Sequence, residues 1–371
     1  MTPLETTIRD IIAREGPIPI SRYMELCLSD PTHGYYMTRD PLGVAGDFIT
    51  APEISQMFGE LIGLWAAAVW QTYPARAELH LIELGPGRGT LMADMLRVAR
   101  IVPGFADALR VHLVETSPAL RRQQQAVLAA FDVPITWHDG VDDLPWAPFV
   151  VIANEFFDAL PIEQAVKVPG GWRRRCIGID GDHLAFTLDP EIIWCDEEKL
   201  PPPLRAAAPG AVLEWRSEAI PRHLARRASA FGTVLVIDYG YAGSAIGDTL
   251  QAVANHRFVD PLDRPGEADL TAHVDFSALR RAATSEGAAS ENAVVYGPLT
   301  QGAFLRRLGI EERARKLKAG GRAEQAATID AALARLTEGG PTGMGELFKV
   351  MAIAHPAIPP PPGFEPAEAA A

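Results

Sequence analysis

The sequence has 371 residues and a formal net charge of −13, from 34 Lys and Arg against 47 Asp and Glu. Its 48% hydrophobic and 22% charged residues are ordinary for globular proteins, which excludes a wholly disordered chain, and the acidic balance disfavours binding to nucleic acid. The three cysteines form no CxxC pair, which excludes a disulfide framework and a zinc signature, and we expect no metal.

No export or membrane segment is evident. The N-terminus lacks the apolar run of a signal peptide. The longest apolar stretch, residues 61–70, has about half of the roughly 20 residues that a membrane helix needs. We therefore expect a cytoplasmic protein that is not inserted into a membrane.

The N-terminal residues, 1–75, predict a helical region that caps the fold or contacts the substrate. Leu4 and Ile8 begin an apolar pattern at helical spacing. A Gly-rich loop that contains Asp47 comes next, and Thr50–Glu53 then has the sequence of a capping box. The helix that this box opens is expected to continue to Val69.

From residue 79 onward, short apolar strands alternate with helices. Such alternation is typical of a parallel sheet that is covered by helices. Phe149–Ala153 is so apolar that both of its faces must be buried. The sequence therefore predicts an α/β fold with a mostly parallel central sheet. The predicted strands are His80–Leu84, Val111–Glu115, Pro134–Trp137, Phe149–Ala153 and Val234–Ile237, and the predicted helices are Thr90–Arg100 and Pro118–Ala130.

An antiparallel insertion interrupts this alternation after the fourth strand. Turn-forming residues join three apolar segments, Ile162–Val168, Trp172–Ile179 and His183–Leu188. Farther on, Arg306–Lys318 predicts a charged helix that faces solvent, and Glu346–Ile353 predicts a last strand. The expected regions are the helical N-terminal region 1–75, the first half of the sheet 76–160, the insertion 161–210, the remainder of the sheet 211–300, a helical segment 301–345, a final strand 346–356 and a loose tail 357–371.

The sharpest chemical signal lies between the first predicted strand and its helix, in Glu83–Thr90. Glycines at positions 85, 87 and 89 let the backbone turn tightly and approach a ligand at a helix N-terminus. A dinucleotide fingerprint requires glycine where Thr90 stands, and a phosphate-binding P-loop requires a lysine that is missing. The pattern resembles the first motif of class I S-adenosylmethionine (SAM) methyltransferases, whose loop wraps the amino-acid part of the cofactor. A Gly-rich turn that binds nothing is the alternative.

Two further acidic residues follow at strand ends. The Glu115 carboxylate can accept hydrogen bonds from both hydroxyls of a ribose, and Asp139 can accept one from an adenine amino group. A turn-forming role is the alternative for Asp139. Three such elements in this order predict SAM as the cofactor. The predicted cofactor-binding residues are Glu83, Gly85, Pro86, Gly87, Gly89, Glu115, Ser117, Asp139, Gly140 and Asn154.

The fourth predicted strand leads into Asn154–Pro161, where the acceptor of an α/β enzyme is expected to enter. The segment resembles the Asn/Asp-Pro-Pro-aromatic tetrapeptide of methyltransferases that act on planar nitrogens, but both prolines are replaced. Glu155 and Asp158 place carboxylates there, which suits a cationic acceptor. We predict these two residues and Asp47 as the catalytic residues.

The chain as a whole resembles the MidA group of class I methyltransferases, which includes the mitochondrial complex I assembly factor that dimethylates an arginine. The resemblance implies a Rossmann-like fold that binds SAM through region 76–160 and methylates an arginine of a protein acceptor, such as a subunit of respiratory complex I. The paired glutamates with which ordinary arginine methyltransferases grip the guanidinium are not found, so Glu155 and Asp158 are candidates by position. The resemblance rests on Gly46–Glu60, Glu83–Thr90, Asn154–Pro161, His256–Pro261, Asp269–Phe276 and Thr300–Leu305.

Two other functions stay open at this point. One is a SAM-dependent methyltransferase that acts on a small molecule or on an amide nitrogen. The other is a non-catalytic assembly factor that uses the methyltransferase fold as a scaffold. The carboxylates of Glu83, Glu115 and Glu155 favour catalysis, because a degenerate site has no reason to keep them.

Overall fold

The computed structural model describes residues 1–38, 50–73, 78–194, 202–243, 245–285, 293–320 and 322–370. The chain divides into two compact units. The small unit comprises Met1–Phe48, Asp158–Ser217 and Gly243–Ala278, and the large unit comprises Ile49–Phe157, Glu218–Ala242 and Leu279–Ala371.

Helices and strands of the described residues have the following bounds. The helices are α1 (Pro3–Glu15), α2 (Ile20–Ser29), α3 (Tyr35–Thr38), α4 (Ala51–Ile54), α5 (Gln56–Gln71), α6 (Thr90–Ala99), α7 (Phe105–Ala108), α8 (Pro118–Leu128), α9 (Pro202–Arg205), α10 (Ala219–Phe231), α11 (Phe276–Thr284), α12 (Gln301–Arg307), α13 (Ile310–Lys318) and α14 (Ala323–Thr337). The strands are β1 (Ile18–Pro19), β2 (Leu79–Leu84), β3 (Leu109–Val114), β4 (Ile135–His138), β5 (Phe149–Asn154), β6 (Ile162–Val168), β7 (Gly171–Asp180), β8 (His183–Trp194), β9 (Val212–Arg216), β10 (Gly232–Tyr241), β11 (Gln251–Ala254), β12 (Arg257–Val259), β13 (Asp269–Thr271), β14 (Val274–Asp275), β15 (Val294–Thr300), β16 (Phe348–Ala354) and β17 (Ala369–Ala370).

The central sheet of the large unit has the strand order β17-β15-β16-β10-β5-β2-β3-β4. The strands from β10 to β4 pair in parallel, whereas β16 runs antiparallel to both of its neighbours. Helices α6 and α8 supply the crossovers that parallel neighbours need. Every residue of β5 is buried, in agreement with its apolar sequence. The prediction of an α/β fold with a mostly parallel sheet is confirmed.

The pairing register aligns the carboxyl ends of the parallel strands. Leu84 at the end of β2 pairs with Val114 on one side and with Ala153 on the other. Val114 in turn pairs with His138 at the end of β4. The segments that follow β2, β3, β4 and β5 therefore leave the sheet side by side.

The small unit contains the predicted antiparallel insertion. Strands β6, β7 and β8 form a meander. The sheet order is β1-β7-β6-β9, and β8 also pairs with β7. A second sheet, β12-β11-β13, was not predicted. Helix α1 buries Leu4, Ile8 and Ile12 on one face, as the helical spacing predicts. Its N-cap is Thr2, whose hydroxyl accepts a hydrogen bond from the Glu5 N–H at 3.1 Å.

The predicted capping box at Thr50–Glu53 is wrong. The Thr50 side chain makes no capping hydrogen bond, and the single helix predicted here is two helices, α4 and α5. Ser55 has an extended backbone between them and caps α5 by accepting from the Met57 N–H at 3.2 Å. The Glu53 carboxylate instead accepts a hydrogen bond from the Thr90 hydroxyl at 2.7 Å.

The tail is not loose over its described residues. Ile358 and Phe364 are buried, and Ala369–Ala370 forms β17 against β15. The indole N–H of Trp65 donates to the Pro362 carbonyl at 2.9 Å. The abundance of proline in this segment suggested disorder, but its two large apolar side chains provide enough burial to fold it onto the large unit.

The charged stretch Arg306–Lys318 also contributes to the core. Gly309 breaks it into α12 and α13 in a left-handed conformation, with φ of +88°. Ile310 and Ala314 are buried on one face of α13. Most of its charges are exposed as predicted, but Arg313 donates to both carboxylate oxygens of the buried Glu60, at 2.7 and 3.0 Å.

Truncation of Phe364 tests whether the tail contributes to stability. The Phe364 ring is 7% exposed and lies 5.4 Å from the Phe304 ring centroid. We expect Phe364→Ala to lower the free energy of unfolding by about 3 kcal/mol, measured by urea denaturation, because it leaves a cavity in the core. Phe258, which is 76% exposed, provides the control. Phe258→Ala should change the free energy by less than about 0.5 kcal/mol, and equal effects of the two substitutions would contradict a packed tail.

Candidate active site

The loop between β2 and α6 has the conformation that its glycines permit. Gly85, Gly87 and Gly89 have φ of +62°, +52° and +83°, values that other residues rarely adopt. A Cβ atom on Gly85 would lie 3.1 Å from the Phe156 ring. Gly89 is the N-cap of α6 and offers no side chain to its first N–H groups, while Pro86 is buried in the loop. The first turn of α6 is therefore suited to accept an anionic group.

Glu83 lies just before this loop and is 3% exposed. Burial raises its pKa to about 8, and a hydrogen bond from the Met92 backbone offsets part of that rise. Among the described residues, its Oε2 atom has no hydrogen-bond partner. A buried oxygen that lacks a hydrogen-bond partner among these residues suits a ligand group that donates hydrogen bonds.

Glu115 directly follows β3, and its carboxylate is held in a fixed orientation. The Ser117 N–H donates to Oε1 at 2.8 Å, and the Gln124 amide donates to Oε2 at 3.1 Å. Burial raises the pKa of Glu115, while these two hydrogen bonds act in the opposite direction. Ser117 is fully buried and is the N-cap of α8, where its hydroxyl accepts from the Leu120 N–H.

Asp139 and Gly140 follow β4. The Asp139 side chain is 83% exposed and pairs with the Arg121 guanidinium at 2.6 Å. Arg121 also donates to the carbonyl of Glu115 at 2.7 Å and to that of His138 at 2.9 Å, so it ties the two strand ends together. A Cβ atom on Gly140 would meet no atom within 4 Å, which leaves open space beside its backbone.

Asn154 is the last residue of β5, and Glu155 follows it. The Glu155 Oε1 atom accepts from the Ala51 N–H at 3.0 Å and from the Asn154 amide at 3.2 Å. Glu155 has φ of +50°, which is uncommon for a residue with a side chain, and its N–H donates to the Ile237 carbonyl at 2.9 Å. Asn154 is buried, and within the described residues its Oδ1 atom has no hydrogen-bond partner.

The other two predicted catalytic residues have different outcomes. Asp158 belongs to the small unit, is 6% exposed, and accepts from the Ala272 N–H through its backbone carbonyl at 3.0 Å. Glu155 belongs to the large unit. Asp47 lies outside the described residues.

Sequence reasoning missed several residues that shape these segments. Asp238, at 0% exposure on β10, accepts from the Phe157 N–H and from the Tyr239 N–H, each at 2.9 Å. Gln124 and Arg121 connect the ends of neighbouring strands. Of these three residues, only Asp238 had a signal in the sequence, because it directly follows the apolar run Val234–Ile237.

The described residues provide neither a metal centre nor a membrane-spanning helix. In the ranges that the structure describes, three His, Cys, Asp or Glu side chains nowhere converge as metal ligands. The helices in those ranges are too short or too polar to traverse a bilayer.

Comparison with known proteins identifies the family. Residues 61–294 match the sequence model of a family described as S-adenosyl-L-methionine-dependent methyltransferases. The chain belongs to this family. Human protein arginine methyltransferase NDUFAF7, mitochondrial, is 37% identical over 348 residues, which cover 85% of this chain and 76% of the human protein. The Drosophila melanogaster homolog is 35% identical over 376 residues, which cover 94% of this chain and 84% of the fly protein.

A solved structure supports the same assignment. A Burkholderia thailandensis protein bound to S-adenosyl-homocysteine has a TM-score of 0.83 and 28% identity, covering 98% of this chain and 96% of that chain. This methyltransferase therefore has the Rossmann-like fold of the SAM-dependent enzymes and uses SAM as its cofactor.

The expected cytoplasmic location is contradicted. The matching relatives from human, fly and zebrafish are all named as mitochondrial proteins. Composition and cysteine content were weak grounds for that expectation, because neither distinguishes one reducing compartment from another.

The chemistry of the site fits SAM. The cofactor carries an ammonium group, a carboxylate and two ribose hydroxyls. Glu83 and Asn154 each have a buried oxygen without a hydrogen-bond partner among the described residues, and such oxygens could accept from an ammonium group. The Met92 N–H in the first turn of α6 already donates to Glu83, and the preceding N–H groups of that turn suit a carboxylate. The oriented carboxylate of Glu115 suits a ribose.

The raised pKa of Glu83 predicts a pH dependence of stability for the cofactor-free methyltransferase. Its folded pKa of about 8 exceeds the ordinary value of 4.5, so its contribution to stability is fully present below 4.5 and is lost as the pH rises through about 8. The melting temperature should therefore decrease between about pH 4.5 and about pH 8 and level off above it. Glu83→Gln, which cannot ionise, should reduce this decrease.

The control for Glu83 lies at the other end of the same strand. The Glu78 side chain is 50% exposed and pairs with Arg110 at 2.8 Å. Glu78→Gln should keep the pH dependence of the unsubstituted protein. If Glu83→Gln and Glu78→Gln give the same pH profile, Glu83 does not titrate in this range.

Proposed function

We propose that this methyltransferase transfers the methyl group of SAM to the guanidinium of an arginine in an acceptor protein. Relatives that match most of the chain are named protein arginine methyltransferases. The observation that carries the proposal is the Glu155 carboxylate at the carboxyl end of β5, oriented by the Ala51 N–H and the Asn154 amide. A carboxylate in this position suits a cationic acceptor.

The proposed cofactor site follows the aligned strand ends. Glu83 and Asn154 would hold the ammonium group of the cofactor, and the first N–H groups of α6 would hold its carboxylate. Glu115 would accept from the ribose hydroxyls, and Asp139 from the adenine amino group. The complete proposed set is Glu83, Gly85, Pro86, Gly87, Gly89, Glu115, Ser117, Asp139, Gly140 and Asn154.

For the acceptor arginine, the reaction depends more on the orientation of the guanidinium than on proton transfer. When bound, SAM supplies a methyl group on a sulfonium centre, which is a good leaving group. Because the pKa of an arginine is above about 12, its guanidinium stays protonated and its nitrogen lone pairs are delocalised. We propose that Glu155 pairs with two guanidinium nitrogens and so directs the third, with Asp158 or Asp47 as a helper. The pairing would also stabilise the positive charge during transfer.

A subunit of respiratory complex I is our candidate acceptor. This element of the proposal rests on the resemblance to the complex I assembly factor. Incubating lysate and purified complex I with enzyme and methyl-labelled SAM tests it. Label in one complex I band, released as methylarginine on hydrolysis, is the expected result. Label in a small molecule or in an amide would favour a methyltransferase that acts on those acceptors. Absence of label would favour a non-catalytic assembly factor.

Substitution of Glu155 separates acceptor handling from cofactor handling. Glu155→Gln keeps an Oε1 atom that accepts from Ala51 and Asn154, so the loop should remain intact. SAM affinity, measured by calorimetry, should be nearly unchanged. The rate of methyl transfer to protein should decrease by about 100-fold or more, because the charge that stabilises the bound cation is lost.

Glu78→Gln is again the matched control, since it removes a charge at the amino end of β2. It should leave both SAM affinity and transfer unchanged. Normal transfer by Glu155→Gln would remove Glu155 from the catalytic residues. A lowered melting temperature with weakened SAM binding would instead assign Glu155 a structural role.

A further inference from the structure

Gln124 occupies an unusual position for an amide side chain. It lies on α8, between neighbours that are exposed or half-buried, yet its own exposure is 0%. Burying an amide is unfavourable unless its hydrogen bonds are made. Gln124 makes three of them, and each involves a different strand end of the parallel sheet.

The partners of Gln124 fix the orientation of its amide. The Nε2 atom donates to the Gly87 carbonyl at 2.7 Å and to the Glu115 Oε2 atom at 3.1 Å. The Oε1 atom accepts from the Trp137 indole N–H at 2.8 Å. An indole N–H can only donate, whereas a carbonyl and a carboxylate can only accept. Exchanging the amide oxygen and nitrogen would break all three hydrogen bonds, so this side chain has one orientation.

These hydrogen bonds connect three elements of the proposed cofactor site. Gly87 lies in the loop after β2, Glu115 follows β3, and Trp137 belongs to β4. The backbone of Gln124 also packs closely on the loop, because a Cβ atom on Gly89 would lie 3.5 Å from its Cα atom. Motion of the loop relative to Glu115 would therefore have to break the hydrogen bonds of Gln124.

We infer that Gln124 is a positioning residue for the cofactor. This inference rests on the proposed binding of SAM at Glu115. Gln124 and the Ser117 N–H each donate to one oxygen of the Glu115 carboxylate, which fixes its plane. The Thr116 backbone N–H also donates to this carboxylate, so one of its four lone pairs remains for a ribose hydroxyl.

The second effect of Gln124 is on the glycine loop. Gln124 holds the Gly87 carbonyl on the side of α8. In a planar trans peptide the carbonyl and the next N–H point in opposite directions, so the Arg88 N–H points away from α8. The side chain thus sets the direction of a backbone donor in the loop.

The variant Gln124→Glu tests this role with little change in shape. It replaces the donating nitrogen by an oxygen that faces the Gly87 carbonyl and the Glu115 carboxylate. We expect SAM affinity, measured by calorimetry at about pH 8, to decrease about 10- to 100-fold, as for the loss of hydrogen bonds to a charged group. Two carboxylates in contact share a proton as the pH falls. At about pH 6 the SAM affinity of the variant should therefore be closer to that of the wild type than it is at about pH 8.

Gln125→Glu is the matched control. Gln125 is the next residue of α8 and is exposed. The same substitution adds the same charge to the same helix without facing Glu115, so SAM affinity should stay within about twofold of wild type at both pH values.

A second variant, Gln124→Met, removes all three hydrogen bonds while keeping a similar length. It should weaken SAM binding without any recovery at low pH. In both variants the Trp137 indole N–H resonance should shift in the nitrogen–proton correlation spectrum, because its acceptor has changed.

The outcomes separate this inference from its alternatives. Recovery at low pH that is confined to Gln124→Glu supports a positioning role. Unchanged SAM affinity in both Gln124 variants overturns it. An equal loss by Gln124→Glu at both pH values, accompanied by a lower melting temperature, overturns it in favour of a structural role. Absence of SAM binding by the unsubstituted protein would instead refute the proposed cofactor site, and that measurement is independent of Gln124.

Discussion

The pairing register of the parallel strands is the constraint on which the candidate site depends. Leu84, Val114, His138 and Ala153 pair in one row across β2 to β5. The glycine loop, Glu115, Asp139 and Asn154 each lie just beyond this row. A shift of one residue in any pair would turn the alternating side chains to the opposite face of the sheet. The apolar residues that bury both faces of the sheet therefore also determine which polar residues meet at its edge.

Some polar atoms are buried at this edge of the sheet without hydrogen-bond partners among the described residues, and their burial lowers the stability of the folded chain. Glu83 and Asn154 each keep a buried oxygen without a hydrogen-bond partner among the described residues. Such atoms reduce stability, since water would have satisfied them in the unfolded chain. A ligand that donates to them would recover this free energy only in the folded state. Cofactor binding and folding stability are thus expected to be coupled at these positions, with Glu83 making the coupling sensitive to pH.

The sequence predicted what depends on neighbours along the chain. Strands β2 to β8, the glycine loop and helices α6 and α8 follow from local apolar patterns and turn residues. What it missed depends on contacts between distant residues. Glu53 bonds to Thr90 instead of completing a capping box, and Gln124 is one of three consecutive glutamines that local patterns do not distinguish. The prediction of a loose tail was wrong because it relied on composition, whereas Phe364 of the tail packs in the core.

Strand β10 holds the segment after β5, which contains the proposed acceptor site, in a fixed conformation. Glu155 adopts a positive φ, which is unfavourable for a residue with a side chain. Two hydrogen bonds to β10 maintain this conformation, one from the Glu155 N–H to the Ile237 carbonyl and one from the Phe157 N–H to Asp238. The conformational entropy of the segment is therefore lost during folding and not when an acceptor binds. A carboxylate that is ordered in advance can orient a guanidinium with a smaller loss of binding free energy, which is what a reaction limited by alignment requires.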